Sequence, residues 1–269
     1  MKKERCMLFF DIDGTLITTD GKRTFPESAK RALRAARERG HLVYINTGRV
    51  MANVDEFIRD VGFDGYVCGC GTYIISEGRE LLHNRVSQDR CREIAYKCRD
   101  CRMMAIFEHT EHTAYDSLLE AEDEEYREIL SYFKSMERNV ISDIEDPDFC
   151  FDKFACWYEE GNPKLQEFID YMSQDFTCIQ REGNFLEVVP NGFSKATGIQ
   201  FLMQKYDIPL ERIYAFGDSN NDLDMLRYVQ NSIAMGVCTE EVAAVSMYRT
   251  DTVEQDGIEK AMQHFGIIE

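Results

Sequence analysis

With 269 residues, of which 44% are hydrophobic and 30% charged, the chain is long enough to bury a sizeable core, as one large domain or two modest ones. A formal net charge of −18 and a pI near 4.7 argue against a nucleic-acid partner, whose backbone is held by basic surface; an anionic ligand must be drawn in locally. Lys2, Lys3 and Arg5 precede an apolar patch as in a signal peptide. Asp11 and Asp13 interrupt that patch too early, and no other stretch is apolar enough to span a membrane, so a cytoplasmic protein is expected.

The first predicted element is a strand at Met7 to Phe10, a short apolar run of the kind covered on both faces of a parallel sheet. It ends in Asp11-Ile12-Asp13-Gly14-Thr15. Residues two apart in a strand point the same way, so the two carboxylates can approach one point, where they repel unless a cation or proton lies between them. Equally, aspartates in this position serve as turn and cap residues. Gly14 permits a sharp turn, and Thr15 adds a hydroxyl or a cap. "TFPESAKRALRAARERG" follows as a helix, with Thr24 and Glu27 spaced for a capping box, Pro26 suited to a first turn and Gly40 placed to close the far end. "HLVYIN" is a second strand. The order strand, helix, strand demands a parallel pair joined by a right-handed crossover. Thr47, Gly48 and Arg49 stand at its carboxyl end.

From about residue 83 to residue 189 the character changes to polar helices alternating with strands such as "MMAIFEH", "KFACWYE" and "FLEVVP", the pattern of an inserted α+β unit. Within it, "LLEAEDEEYREIL", residues 118 to 130, reads as a solvated helix face and not as a metal site. Ten cysteines are scattered through the chain, and reduced thiols are expected. Cys98 and Cys101 form a CxxC followed by His109 and His112. The gap between them is too short for a finger, His-x-x-His misses the usual spacing, and both cysteines end a predicted helix; neither structural zinc nor a disulfide is expected.

The chain resumes with "SKATGIQFLMQKYDIP", a helix, and "RIYAFGDSNNDLDML", an apolar strand that again ends in acids. Three strands thus deliver "DID", "TGR" and "GDSNND" to one sheet edge, where open parallel α/β sheets bind ligands. Asp11, Asp13, Asp218 and Asp222 make a concentrated negative site that a hard cation would relieve, and magnesium takes such oxygen donors. Asp218 and Asp222 also suit the cap of a helix beginning near Asn221. Lys195 follows Ser194 at a helix amino end, where the macrodipole disfavours a cation; it either points into solvent or faces a phosphate or an aspartate.

In order and spacing, "DIDGTL", "NTGR", "SKATGI" and "GDSNNDLDML" resemble the four motifs of the haloacid dehalogenase superfamily, and the insert resembles the type IIB cap of Cof-like sugar phosphatases. "AMG" at 234 to 236 and "DGIEKAM" at 256 to 262 are also similar to that group. The resemblance implies an α/β protein with a Rossmann-like parallel-sheet core, residues 1–82 and 190–269, and an inserted α+β cap of type C2B, residues 83–189. It implies a magnesium-dependent phosphatase of small phosphorylated metabolites, a sugar phosphate or a cofactor phosphate, acting through an aspartyl-phosphate. Asp11 would be the nucleophile, and Asp13 the acid toward the leaving oxygen and the base toward water. Magnesium would be held by Asp11, the main-chain oxygen of Asp13, and Asp218, with Asp222 ordering a metal-bound water. Thr47, the Gly48 amide, Lys195 and Asn221 would stabilise the transferring phosphoryl group, and Arg49 would position substrate or cap. One departure stands out: the family usually has Asn-Gly after its third core strand, where this chain has Cys70-Gly71. The same cap class includes phosphohexomutases, against which the acid-rich insert weighs. A non-catalytic acidic binding protein is the other alternative, against which the joint presence of Asp11 and Asp13 weighs. The insert is expected to select the substrate, and the chain to be a monomer or weak homodimer.

Overall fold

The computed structural model describes residues 5–119, 124–135, 139–181 and 183–269; Lys2, Lys3 and residues 120–123 of the acid-rich stretch lie outside them. In chain order the elements are β1 (Met7–Phe10), α1 (Glu27–Glu38), β2 (Leu42–Asn46), α2 (Glu56–Arg59), β3 (Gly65–Cys68), β4 (Tyr73–Ser76), β5 (Arg79–His83), α3 (Gln88–Asp100), β6 (Met104–Glu108), β7 (Thr113–Tyr115), α4 (Glu124–Ser135) and β8 (Val140–Ile141). There follow β9 (Lys153–Trp157), α5 (Leu165–Met172), β10 (Phe176–Gln180), β11 (Phe185–Pro190), α6 (Lys195–Tyr206), β12 (Ile213–Gly217), α7 (Leu223–Tyr228), β13 (Asn231–Ala234), α8 (Glu240–Val245), β14 (Tyr248–Arg249) and α9 (Gly257–His264). The chain divides into two compact units, Met1–Gly48 with Val54–Leu82 and Phe193–Glu269, and Arg49–Asn53 with His83–Gly192.

In the first unit the sheet order is β14-β13-β12-β1-β2-β3-β4-β5, parallel from β14 to β3 and antiparallel between β3 and β4. All four residues of β1 are fully buried, so its unbroken apolar run is what a strand covered on both faces requires. From β1 the chain proceeds outward through β2 and β3, and it returns to the other side of β1 as β12. The point where strand order reverses therefore lies between β1 and β12. On α1, the buried Ala29, Ala32, Leu33 and Ala36 recur at helical spacing and make its inward stripe.

Two local expectations are corrected. The Thr24–Glu27 capping box does not form: Pro26 is the N-cap of α1, with no side-chain cap. Thr24 is instead tied to Thr18, accepting from its amide at 3.0 Å and donating its own amide to Oγ1 at 2.9 Å, while Glu27 pairs with Lys30 at 2.6 Å. The acid-rich helix does not begin at Leu118. Asp116 folds Leu118 and Leu119 into a turn by accepting both amides, and in the helix Tyr126 is buried against Trp157, so the face is not wholly solvated.

The second unit is built on a sheet ordered β10-β11-β9-β6-β7-β8, antiparallel except between β7 and β8. Strand alternation separates its two faces. Ala105 and Phe107 of β6 join a core with Phe149, Phe151, Phe154 and Phe168, and Met104 and Ile106 pack on the opposite side with Tyr126, Ala155 and Trp157.

Candidate active site

Asp11 follows β1, and its amide donates to the Phe216 carbonyl of β12 at 3.1 Å, so the in-register pairing of these two strands sets the site. After Asp11 the chain turns through Gly14, whose φ of +76° suits a residue without a Cβ. A Cβ there would also lie 2.4 Å from Asp218 Oδ2, and Thr15 Oγ1 donates to Asp218 Oδ1 at 2.8 Å. The turn after one strand thus orients the carboxylate after its neighbour.

Asp222 is fully buried. Its Oδ2 accepts the amides of Asp218 at 2.9 Å and Ser219 at 3.1 Å, and its Oδ1 accepts from Lys195 Nζ at 2.7 Å. Both oxygens are committed to holding the loop and the lysine. Lys195 is 1% exposed and donates equally to Asp11 Oδ1 at 2.7 Å. Three features place it. Ser194 caps α6 in a capping box with Thr197. Asn46, ending β2, donates Nδ2 to the Lys195 carbonyl at 3.0 Å. Gly71 lets the loop after β3 approach so closely that a Cβ would stand 2.5 Å from the Ser194 carbonyl oxygen. Beside it, Cys70 is buried in the left-handed conformation, φ 55° and ψ 38°, with its amide on the Thr47 carbonyl at 3.1 Å. Asparagine tolerates that conformation better than cysteine, which gives a backbone reason for the residue usual there.

Burial pushes Asp11 up to about 7, with the charges of Asp222 and Asp13 adding to it and Lys195 opposing it. Asp218 is pushed up to about 8 by burial and by Asp11 and Asp222, against the Thr15 hydroxyl. Burial would lower Lys195, but the charges and hydrogen bonds of Asp11 and Asp222 overcome it and hold the ammonium. Carboxylate oxygens of Asp11, Asp218 and Asp222 come within 4.8 Å of one another. Two buried acids on one ammonium, with the half-buried Asp218 beside them, leave the cluster short of positive charge, and an all-oxygen donor set suits a hard divalent cation such as magnesium.

The other expected residues of the first unit follow strands of its sheet. Asp13 is half-buried and bridges by its backbone to Ile17. Thr47 is buried after β2, its amide on the Val67 carbonyl at 2.9 Å, and Gly48 follows it. Asn221 Oδ1 accepts from Ser219 Oγ at 2.7 Å. Arg49 donates to the Asn53 carbonyl at 3.1 Å, within the second unit. Sequence reasoning did not assign Asn46 or Thr15 to the site; the signal for Asn46 was an amide ending an otherwise apolar strand. Cys98 lies in the second unit's core and Cys101 caps α3, and among the described residues neither groups with His109 or His112. All ten cysteines stand as thiols.

A parallel sheet that reverses strand order at clustered aspartates and a buried lysine places a ligand-binding α/β site there. The family model of the haloacid dehalogenase-like hydrolases matches residues 8–262, and the chain belongs to that family. It is 24% identical over 271 residues to YkrA of Bacillus subtilis, which carries a provisional name as a phosphatase, covering 97% of this chain and 98% of that one. The 5-amino-6-(5-phospho-D-ribitylamino)uracil phosphatase YitU of the same organism is 22% identical, over 98% of this chain and 99% of its own. Among solved structures, the HAD subclass IIB sugar phosphatase BT4131 is 28% identical with a TM-score of 0.80, covering 98% of this chain and 100% of the other. The expected fold class, a parallel-sheet core carrying an α+β insertion, is the fold observed, and the chain is a phosphatase of this family.

Proposed function

We propose that the chain is a magnesium-dependent phosphatase of small phosphorylated metabolites that works through an aspartyl-phosphate on Asp11. The observation that carries this reading is the contact of Lys195 with both Asp11 and Asp222 beside Asp218, at the strand-order reversal. Magnesium fits the donor set: Asp11, the main-chain oxygen of Asp13 and Asp218 would hold it, with Asp222 bracing them. When bound it supplies positive charge toward the phosphoryl oxygens and keeps the acids ionised.

The chain's own residues account for the rest. The Asp11 carboxylate attacks phosphorus and forms an acyl phosphate as the bond to the leaving oxygen breaks. Asp13 gives that oxygen its proton, then takes one from the water whose attack on phosphorus releases inorganic phosphate and restores Asp11. Lys195, Thr47, the Gly48 amide and Asn221 stabilise the charge spread over the phosphoryl oxygens, and Arg49 positions the substrate. The inserted unit selects the leaving group, a role that fits relatives named for different substrates, a sugar phosphate and a ribityl-pyrimidine phosphate. Hydrolysis of p-nitrophenyl phosphate with and without magnesium tests the reaction. Asp11→Asn is expected to fold and to lose turnover by at least about 10⁴-fold, since an amide does not attack phosphorus. Substantial hydrolysis by this variant, freed of contaminating phosphatase, overturns the aspartyl-phosphate route.

A further inference from the structure

The phosphatase chemistry leaves a second group of metal-binding side chains unused, wholly inside the second unit. One ring nitrogen each of His109 and His112 and the Cys150 sulfur come within 4.8 Å of one another, beside a cavity of about 500 Å³ whose lining includes all three residues. We propose that His109, His112 and Cys150 form a binding site for a soft transition-metal cation, with zinc the reference ion. The expectation of no zinc rests on Cys98 and Cys101, the sulfur ligands that lie nearest the histidines along the chain. Folding brings up a cysteine 38 residues beyond His112 instead.

Several features prepare these ligands. His112 is buried and its Nε2 donates to the Cys150 carbonyl at 3.0 Å, which leaves the lone pair of Nδ1 on the neutral ring. A metal-binding histidine is commonly oriented by such a bond from its other nitrogen to a carbonyl. The His109 amide on the His112 carbonyl at 3.0 Å closes the turn that carries both rings, and His109 Nδ1 accepts the Glu111 amide at 3.2 Å, a bond that a metal on that nitrogen would replace. Behind them, the buried Asp152 accepts from the Thr110 amide at 3.1 Å and from His83 Nε2 at 2.8 Å, while Arg85 Nε donates to His83 Nδ1 at 3.0 Å. His83 therefore braces the site.

Tetrahedral bonds of about 2.0–2.3 Å set ligand atoms roughly 3.5 Å apart, a closure that requires side-chain rotation at the half-buried His109 and Cys150. On binding, the Cys150 thiol releases its proton to solvent as the metal–sulfur bond forms, and waters leave the ion. Two imidazoles and a thiolate favour zinc, cobalt or copper(I) over magnesium, and the cavity has room for an exchangeable fourth ligand. The contrasting group of Asp100, Cys101 and Glu167 carries no such reading, because its acids are neutralised by Lys164 and Lys97.

The test uses the full chain without an affinity tag, in excess magnesium to occupy oxygen sites. Cobalt(II) is expected to bind equimolarly with a near-ultraviolet thiolate-to-metal band that zinc abolishes. Cys150→Ser should lose that band, and Cys150→Ser and His112→Gln should each weaken zinc binding by on the order of 100-fold against a chromophoric chelator. Cys98→Ser and Cys101→Ser should leave both readouts unchanged. X-ray absorption of the zinc-loaded wild-type chain, which needs no variant to fold, should show two nitrogens and one sulfur. No thiolate band in the wild type, a band that survives Cys150→Ser, or an all-oxygen zinc shell overturns the proposal.

Discussion

Lys195 opens α6, where the unpaired amides of the first turn disfavour an ammonium, and it is nevertheless 1% exposed. Its two aspartate partners, at 2.7 Å each, offset both the dipole and the desolvation, so the residue that breaks a helix rule is held by contacts from β1 and from the loop after β12. Lys195→Met strips the cation from Asp11 and Asp222 together. It is expected to destabilise the chain by about 3–5 kcal/mol near neutral pH, the cost of a buried pair that loses one partner, and to abolish turnover. Denaturant unfolding beside a kinetic assay measures both; an unchanged midpoint contradicts the pairing. Gly14→Ala places a methyl group against Asp218 in a left-handed turn. It should cost about 1–3 kcal/mol and, by displacing Asp218, weaken magnesium binding measured by calorimetry. Such residues differ in how far the sequence reveals them. Gly14, Asp11 and Lys195 stand in motifs that resemble a family, so their importance is readable from the order of residues alone. Asn46 and Thr15 act on groups 149 and 203 residues away, and no local pattern shows which acid or carbonyl a threonine or asparagine will meet.

At the scale of elements, β1, β2 and β12 were readable because each carries a buried apolar run, a signal independent of its neighbours, whereas β13, opening on Asn231 and Ser232, and the two-residue β14 carry none. Capping was less readable. Thr24 had the spacing for a capping box, but the bond to Thr18 took its backbone and Pro26 became the cap. In the second unit β6, β9 and β11 were legible while their charged partners were not: Lys153 of β9 reaches Glu108 of β6 at 3.0 Å and Glu187 of β11 at 2.9 Å, with Arg181 Nε also donating to Glu187 at 3.2 Å. Burial would raise the Glu187 carboxyl, but Lys153 and Arg181 outweigh it and hold the group below its ordinary 4.5. A carboxyl depressed in the folded state contributes stability that is fully present above its unfolded pKa and lost as pH falls through the folded one. Acidification below about 4.5 should therefore destabilise this unit progressively. Glu187→Gln should lose about 2 kcal/mol at pH 7 and show a shallower acid slope than the wild type in urea titrations at stepped pH. Parallel slopes for the two proteins would show that the ion cluster does not set the acid response.

Across the whole molecule, a net charge of −18 offers no general attraction to an anionic substrate, so in the proposed reaction phosphate capture would rest on local positive charge: Lys195, the strand-end amides and the cation that the acids would attract. The two units have separate hydrophobic cores, one around Phe9, Tyr44 and Ala215, the other around Phe107, Phe151 and Phe154. The oxygen donors of Asp11 and Asp218 belong to the first, and the nitrogen and sulfur donors of His109, His112 and Cys150 to the second. Separate cores predict separable transitions in scanning calorimetry, and the chemistry of the donors predicts which ion moves which. An ion at about 100 times its dissociation constant adds roughly 2.7 kcal/mol to the unit that binds it, a shift of about 8–11 °C for units of this size. Magnesium should raise the transition that Asp218→Asn makes unresponsive, and zinc, added with magnesium already present, should raise the one that Cys150→Ser makes unresponsive. If both ions move the same transition, or if Cys150→Ser leaves the zinc shift intact, then zinc is binding the aspartate cluster and the assignment of two chemically distinct sites to two units fails.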